Sequence, residues 1–262
     1  MLVFASVVPH PPLLIPAIGK EAVKKVEKTK LALEKLEEEL YLSKPDTILI
    51  IGPHGCYFEG AFCLNISANY TTDLREFGDL TTKQQFKGEL NLASKIKMAA
   101  ESQHLPISLV TDPIIDHSVS VPLYYLTKHL PNVAILPINY SGLDRKTHLD
   151  FGYLIKEQVM NTNRRIAVIA SGDLSHALTS DAPAGFSAAG AEFDAKIQEL
   201  LANHNAAGLL RLDPILVENA AECGYRSLLI LFGILRDVNY DFKFLSYEAP
   251  FGVGYLTANF SL

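Results

Sequence analysis

Four histidines stand just beyond short apolar runs, and that placement suggests chemistry. His10 follows Val3–Val8 within Pro9-His10-Pro11-Pro12, and His54 follows Thr47–Ile51 within Gly52-Pro53-His54-Gly55. His117 follows Ile107–Val110 by way of Asp112-Pro113 and Asp116, and His176 follows Ile166–Ala170 within Ser171-Gly172-Asp173-Leu174-Ser175-His176. A histidine that serves only packing can sit anywhere along an element, so four at one kind of position argue for a shared site. Imidazole is an acid, a base and a metal ligand near neutral pH. Two neutral imidazoles and one anionic ligand on one side of a metal leave the other positions open, the arrangement of non-haem Fe(II) oxygenases. His10 and His54, on stiff loops flanked by Pro and Gly, suit the two imidazole positions. Glu222 and Cys223, just ahead of a strongly apolar segment, are the candidates for the third ligand. His176 is then left as a general base and His117 as a second donor, with Asp173 or Asp116 orienting an imidazole.

Such loops need rigid elements behind them. Ile166–Ala170 is a continuous apolar run rich in β-branched residues, the pattern of a strand buried on both faces of an α/β sheet. In open sheets of that kind, ligands collect beyond the carboxyl ends of the strands, where Ser171-Gly172 breaks the run. Pro9–Gly19 holds four of the fourteen prolines, which should hold His10 rigidly. Glu21–Leu40 carries Val23, Val26, Leu33, Leu36 and Leu40 on one stripe and predicts an amphipathic helix. With the strands on either side it makes a β-α-β unit whose strands are parallel neighbours.

Further along, Ala61–Ala68 reads as a strand and Asn69–Leu80 as a polar loop able to lie over a site. Lys83–Gln103 reads as a helix, Val121–Leu130 as a short helix, Val133–Tyr140 as a strand and Asp144–Met160 as a helix. Ser180–Gly190 reads as a mobile loop. Glu192–Ala202 and Asn205–Leu212 are helical, Leu228–Leu235 is a buried helix, and Tyr240–Tyr247 and Gly254–Phe260 are strands. His104, His129, His148 and His204 have polar neighbours and read as surface residues. The order of elements predicts an α/β fold: a single three-layer αβα domain over residues 1–262, with a central sheet that is mostly parallel or mixed.

Composition narrows the partners. With 262 residues, 48% of them hydrophobic, the chain can bury a large core. Its net charge is −6 and no Lys/Arg cluster stands beside aromatic residues, which argues against nucleic acid. The apolar start, Leu2–Val8, has no basic flank and is cut short by prolines, so neither a signal peptide nor a membrane span is expected. Three cysteines, Cys56, Cys63 and Cys223, lack CxxC spacing and cannot all pair within one chain, which points to a reducing cytoplasm.

Six words, in order along nearly the whole chain, carry a family resemblance. They are Val8-Pro-His-Pro-Pro-Leu13, Ile51-Gly-Pro-His-Gly55, Asp116-His117 with Val121-Pro-Leu123 after it, Ser171-Gly-Asp-Leu-Ser-His176, Ala221-Glu-Cys-Gly224 and Ser246-Tyr-Glu-Ala-Pro-Phe-Gly-Val-Gly-Tyr255. The chain resembles the LigB superfamily, the catalytic B subunits of class III extradiol ring-cleavage dioxygenases, and within it the Memo-like branch associated with AMMECR1 domains. The resemblance implies that His10 and His54 are metal ligands, His176 the catalytic base and His117 a further active-site histidine. It also implies Fe(II), with zinc and copper as metals the same imidazoles accept, and a small aromatic diol and dioxygen as substrates. The dioxygenase glutamate would fall near Ser227, whereas Memo-like proteins are similar at Cys223-Gly224, where the cysteine is the ligand. A Memo-like reading implies a metal-binding or redox accessory protein acting with an AMMECR1-like or radical-SAM partner. The small subunit that covers the dioxygenase site has no counterpart segment here, so a second copy of the chain or a separate protein would take its place.

Overall fold

The computed structural model describes residues 1–262. The amino-terminal half runs β1 (Leu2–Val8), α1 (Pro16–Gly19), a 3-10 stretch Lys20–Val26, α2 (Glu27–Leu42), β2 (Thr47–Gly52), β3 (Phe62–Asn65) and β4 (Asn69–Thr72). After a 3-10 turn at Arg75–Phe77 come β5 (Gln85–Gly88), α3 (Leu90–Ser102), β6 (Ile107–Val110), β7 (Ile114–Ile115) and α4 (His117–Leu126). The remainder is β8 (Ala134–Asn139), α5 (Arg145–Met160), β9 (Ile166–Ser171), α6 (Ala188–Ala202), α7 (Ala206–Leu210), α8 (Pro214–Ala220), α9 (Tyr225–Ile234), β10 (Asp241–Glu248) and β11 (Tyr255–Ser261).

The centre of the sheet is four parallel strands in the order β1-β9-β2-β8. Antiparallel β11 and β10 extend it beyond β1. On the other side β8 gives its first half to parallel β5 and its second half to antiparallel β3, and β4, β7 and β6 continue from those two. Alternation along the central strands sorts the core into two layers. Ala5, Val7, Leu49, Ile51, Leu136, Ile138, Val168 and Ala170 face α3, α5, α6 and α9. Phe4, Val8, Ile48, Ile50, Ile135, Ala167 and Ile169 face α2 and α4. A sheet apolar on both faces must be covered on both, which gives the three-layer αβα architecture. Gly152 and Gly233 let α5 and α9 cross at backbone contact, since a Cβ on Gly233 would lie 2.1 Å from the Leu149 carbonyl oxygen. No helix is long and apolar enough to cross a membrane.

Several expectations are revised. β1 and β2 are parallel but not neighbours, because β9 lies between them and pairs with both. The stretch Glu21–Leu40 opens as a 3-10 segment and becomes α-helical only at Glu27. Within Asn69–Leu80 the chain forms β4 and a 3-10 turn. The expected helix over Lys83–Gln103 begins at Leu90, where Glu89 caps it by accepting from the Leu92 amide at 3.2 Å. Phe86, counted toward that helix, is instead the buried residue of a strand with exposed neighbours. His117 opens α4, four residues ahead of the expected helix, because Asp116 caps it there, accepting from the Ser118 amide.

Candidate metal centre

β1, β9, β2 and β8 end in register: Val8 aligns with Ser171, Ile51 with Ala170, and Gly52 with Asn139. The loops carrying His10, His176 and His54 therefore leave one edge of the sheet side by side, and α4 brings His117 to the same place. The imidazole centroids of His10 and His54 lie 5.1 Å apart, His10 and His117 5.4 Å, and His54 and His117 stack at 4.5 Å. Ligand atoms of His10, His54 and Cys223 lie within 4.8 Å of one another, and so do those of Asp173, His176 and Cys223.

Hydrogen bonds fix which ring nitrogen of His10 is free. Its Nδ1 lies 2.9 Å from Ser171 Oγ, and that hydroxyl gives its only proton to the Ser118 carbonyl at 2.6 Å. The serine oxygen must then accept from His10 Nδ1–H, leaving a lone pair on Nε2, 3.7 Å from Cys223 Sγ. The Ser118 carbonyl is available because Pro122 stands four residues later in α4. Proline has no N–H, so the helical bond that would occupy that carbonyl cannot form. Pro122 thus reaches His10 through Ser118 and Ser171.

His176 is held in a similar way. Its Nδ1 donates to the Ala221 carbonyl at 2.7 Å, which leaves Nε2 bare and 3.9 Å from Asp173 Oδ2. Asp173 is buried, and its Oδ1 accepts the His10 backbone amide at 2.9 Å. Asp116 is occupied at the head of α4. A hydroxyl and a carbonyl, and no carboxylate, therefore hydrogen-bond the imidazoles of His10 and His176.

Cys223 arrives through a backbone contact that only glycine permits. A Cβ on Gly172 would lie 2.1 Å from Gly224 Cα, so the turn after β9 and the turn before α9 touch. There the Asp173 amide donates to Cys223 Sγ at 3.3 Å and the Cys223 amide to the Asp173 carbonyl at 3.3 Å. Glu222 points elsewhere: its carboxylate accepts the Tyr225 amide at 2.5 Å at the start of α9, and it belongs to neither group of ligand atoms. Ser227 is buried in the first turn of α9 and its hydroxyl has no partner.

Burial is the main cause of each resolved shift at the centre. It holds the His10 imidazole well below its usual range, with His54 and His117 adding to the effect, and lowers His54 and His117 too. It raises the Asp173 carboxyl, raises the Cys223 thiol with help from Asp173, and pushes Glu222 up to about 7. The three imidazoles are neutral, as ligands must be, and a bound cation would take the Cys223 proton off outright. Two neutral imidazoles with converging nitrogens and a thiol brought to them by a glycine contact fit a divalent metal.

The 3-10 turn at Arg75–Phe77 lies over one side. Phe77 packs edge-on to His117 at 5.0 Å and Glu76 Oε1 is 3.8 Å from His117 Nδ1. A cleft of about 600 Å³ opens there, lined by Gly55, Asp73, Arg75, Glu76, Asp112 and Asp116 with Ile114 and Ile115. Arg75 is the one basic group, and its guanidinium is tied to Asp73. Sequence reasoning gave Ser171 and Gly172 only the end of a strand, and gave no role to Pro122 or Glu76. The first three lay within quoted words, but nothing local showed what they touch.

His148 corrects another expectation, for it is fully buried. Its Nδ1 donates to the Asp144 carbonyl at 2.8 Å, its Nε2 accepts the Ser141 amide, and Phe62 packs edge-on at 5.0 Å. Both nitrogens are satisfied only in the neutral ring, and burial holds its pKa down at about 4. An unfolded chain takes that proton near pH 6.5, so the contribution is present above pH 6.5 and is lost as pH falls toward 4. At about 1.36 kcal/mol per pH unit the full loss approaches ~3 kcal/mol. Urea unfolding of His148→Gln should show a smaller fall in stability between pH 7 and pH 4.5 than the wild type; equal falls would contradict this.

The match to known proteins runs nearly end to end. A family model described as the catalytic LigB subunit of aromatic ring-opening dioxygenase matches residues 4–258. A Clostridium acetobutylicum protein is 33% identical over 256 residues, covering 94% of this chain and 55% of that one. A MEMO1 family protein of Methanocaldococcus jannaschii is 33% identical over 135 residues, 50% of this chain and 42% of its own, and one of Methanococcus maripaludis is 32% identical over 105 residues, 38% and 34%. The chain thus spans about half the length, or less, of these relatives. The crystal structure of an uncharacterised Escherichia coli K12 protein superposes with a TM-score of 0.67 over 99% of this chain and 100% of that one at 15% identity, a likeness of fold.

Proposed function

The chain belongs to the LigB family, and from that premise we propose that it is a non-haem Fe(II)-dependent extradiol-type dioxygenase acting on a small aromatic diol with dioxygen. The observation that carries this reading is the convergence of bare His10 Nε2, His54 and Cys223 beside a further imidazole, His176, whose Nε2 is also free. His10, His54 and Cys223 would hold the metal. When bound, Fe(II) would supply the positive charge that stabilises an ionised diol and the capacity to react with dioxygen.

The chain's own residues do the rest. His176 Nε2 is aimed to take the proton of a diol hydroxyl, and its Nδ1–H, anchored on Ala221, keeps the ring from turning. The buried Asp173 carboxyl lies 3.9 Å from that nitrogen and favours the imidazolium once formed. His117, held between His54 and Phe77, offers a second donor toward the same space. Phe77 against the His117 ring and Ile115 in the cleft wall present apolar surface on that side.

The charge of the cleft bears on which diol enters. Four carboxylates, Asp73, Glu76, Asp112 and Asp116, face one already paired arginine. Neutral or cationic diols should therefore be preferred over carboxylate-bearing ones by about tenfold in kcat/KM at low salt. Glu76→Gln should narrow that ratio, and so should added salt. A panel of catechols with anaerobically iron-loaded protein tests both points, with ring opening read as incorporation of both atoms of labelled dioxygen. Failure to open any catechol would overturn the enzymatic reading, and a preference for carboxylates would overturn the charge argument.

One observation favours a second reading. The third donor is a thiol where the resemblance puts a carboxylate in the dioxygenases, and a thiolate suits a softer metal and alters iron's oxygen chemistry. The protein would then bind metal as a redox accessory with an AMMECR1-like or radical-SAM partner. Stoichiometric metal without turnover of any catechol is its expected signature.

A further inference from the structure

His176 stands on a turn whose backbone amides are all taken. From Gly172 to Ala177 the N–H groups go in order to the Val8 carbonyl, Cys223 Sγ, the Gly254 carbonyl, Asp194 Oδ1, the Ala220 carbonyl and Ser175 Oγ. One of these partners is a carboxylate. Asp194 comes from α6, a helix that brings none of the converging ligand atoms, and it accepts the Ser175 amide at 2.8 Å. It is 1% exposed, and a carboxylate is that deeply buried only where its oxygens have donors. Oδ2 accepts the Tyr247 hydroxyl of β10 at 2.5 Å. A Cβ on Gly254 would lie 2.1 Å from Oδ2, so the turn ahead of β11 passes the carboxylate at backbone contact. There Gly254 accepts the Leu174 amide and donates its own to the Ser175 carbonyl, each at 2.8 Å.

Ser175 passes this fixing on to His176. Its hydroxyl donates to the Ala220 carbonyl at 2.8 Å, the oxygen that also takes the His176 amide at 3.1 Å. The next carbonyl, that of Ala221, anchors His176 Nδ1–H at 2.7 Å. A Cβ on Gly190 would lie 2.5 Å from Ser175 Oγ, so α6 meets the serine at both Asp194 and Gly190. The imidazole and the carbonyl that orients it thus share one frame, and Asp194 is its outer support.

We propose that Asp194 is a positioning residue for His176: through Ser175 it keeps the ring against Ala221 with Nδ1 protonated and Nε2 bare. Without the carboxylate, the Ser175 amide and the Tyr247 hydroxyl are left in the interior with no acceptor, and the turn shifts to find others. Which nitrogen of a neutral imidazole carries the proton is set by the hydrogen bond the other makes. A ring loosened from Ala221 therefore enters the Nε2–H tautomer, in which the nitrogen that must take a proton already holds one. This role rests on the reading of His176 as the base, whereas the ring state it enforces does not.

The ring state is read without turnover, by nitrogen NMR of the full chain labelled at histidine, before iron is added. At about pH 8, above the usual imidazole range, wild-type His176 should be the Nδ1–H tautomer, and the Nε2–H form should appear in Asp194→Ala. With iron-loaded protein and the catechol that wild type opens best, Asp194→Ala should lose kcat by about 10²-fold, the cost of roughly 1 Å of misplacement, while KM changes by about twofold at most and iron is kept. Asp194→Asn, whose amide oxygen can still accept from Ser175 while its NH₂ donates to Tyr247, should restore the tautomer and most of kcat. Gly254→Ala, which keeps the carboxylate but drives a methyl into its seat, should reproduce Asp194→Ala, and circular dichroism checks that each variant is folded. An unchanged tautomer in Asp194→Ala, iron lost with the carboxylate, or a raised KM with kcat kept would each overturn the proposal. If wild type opens no catechol, the reading of His176 as the base fails by itself, and the tautomer still decides what Asp194 does.

Discussion

Protein purified without oxygen and loaded with Fe(II) should hold one equivalent of iron, His10→Ala should hold none, and Cys223→Ser should bind at least about 100-fold more weakly, while Glu222→Gln binds as wild type does. The first loss follows from the tautomer: His10 Nε2 is the bare nitrogen, because Nδ1–H is committed to Ser171. The second follows from position, since Cys223 Sγ is common to both groups of converging ligand atoms. Changes to partners behind metal ligands already cost about 10–100-fold in affinity, so loss of a ligand atom costs more. Glu222 differs because its carboxylate accepts the Tyr225 amide and lies outside those groups. Burial raises the Cys223 thiol, so loading near pH 7 should also release a proton. Elemental analysis and a chelator competition read the affinities, and pH-stat titration reads the proton. Iron lost in Glu222→Gln and kept in Cys223→Ser would put the carboxylate in the coordination shell. Circular dichroism separates either result from misfolding.

Much of this centre is legible in the chain because strand ends are legible. Continuous β-branched runs broken by Gly or Pro mark where a buried strand stops, and a parallel sheet collects such stops on one edge. That is why His10, His54 and His176 could be grouped before their distances were known. Strand order is different. β9 enters between β1 and β2 through pairings more than 100 residues apart, and hydrophobic period carries no record of who pairs with whom. Phe86 was misread because one buried aromatic in a four-residue strand fits a helical stripe equally well. His148 reads as a surface residue because polar residues flank it along the chain, while the rings of Phe62 and Tyr140 pack on it in space. The relay from Pro122 to His10 was hidden for the same reason: Ser118 and Ser171 are 53 residues apart. Proline inside a helix signals only that a carbonyl is left free, and what takes it up is decided by the fold.

His176→Gln should keep its iron and lose turnover by about 10²–10⁴-fold, the range that one positioned proton-transfer group supplies. The separation is expected because His176 is built to remain accessible. Its backbone amide donates to the Ala220 carbonyl at 3.1 Å, Ser175 Oγ donates to the same carbonyl at 2.8 Å, and its ring Nδ1–H is anchored on Ala221. Ala221 presents that carbonyl from a left-handed conformation, φ 51°, which costs a residue with a Cβ roughly 1–2 kcal/mol. Strain of that kind persists where surrounding contacts enforce it and is concentrated at functional sites. What it secures is a ring with one nitrogen fixed and the other turned toward Asp173 beside the metal centre. Glutamine can keep a hydrogen bond to Ala221 but cannot take up a proton, so diol affinity should change little while kcat falls. The competing arrangement is that Asp173, His176 and Cys223 form the metal shell. In that case His176→Gln would lose iron together with activity, and the base would have to be sought in His117.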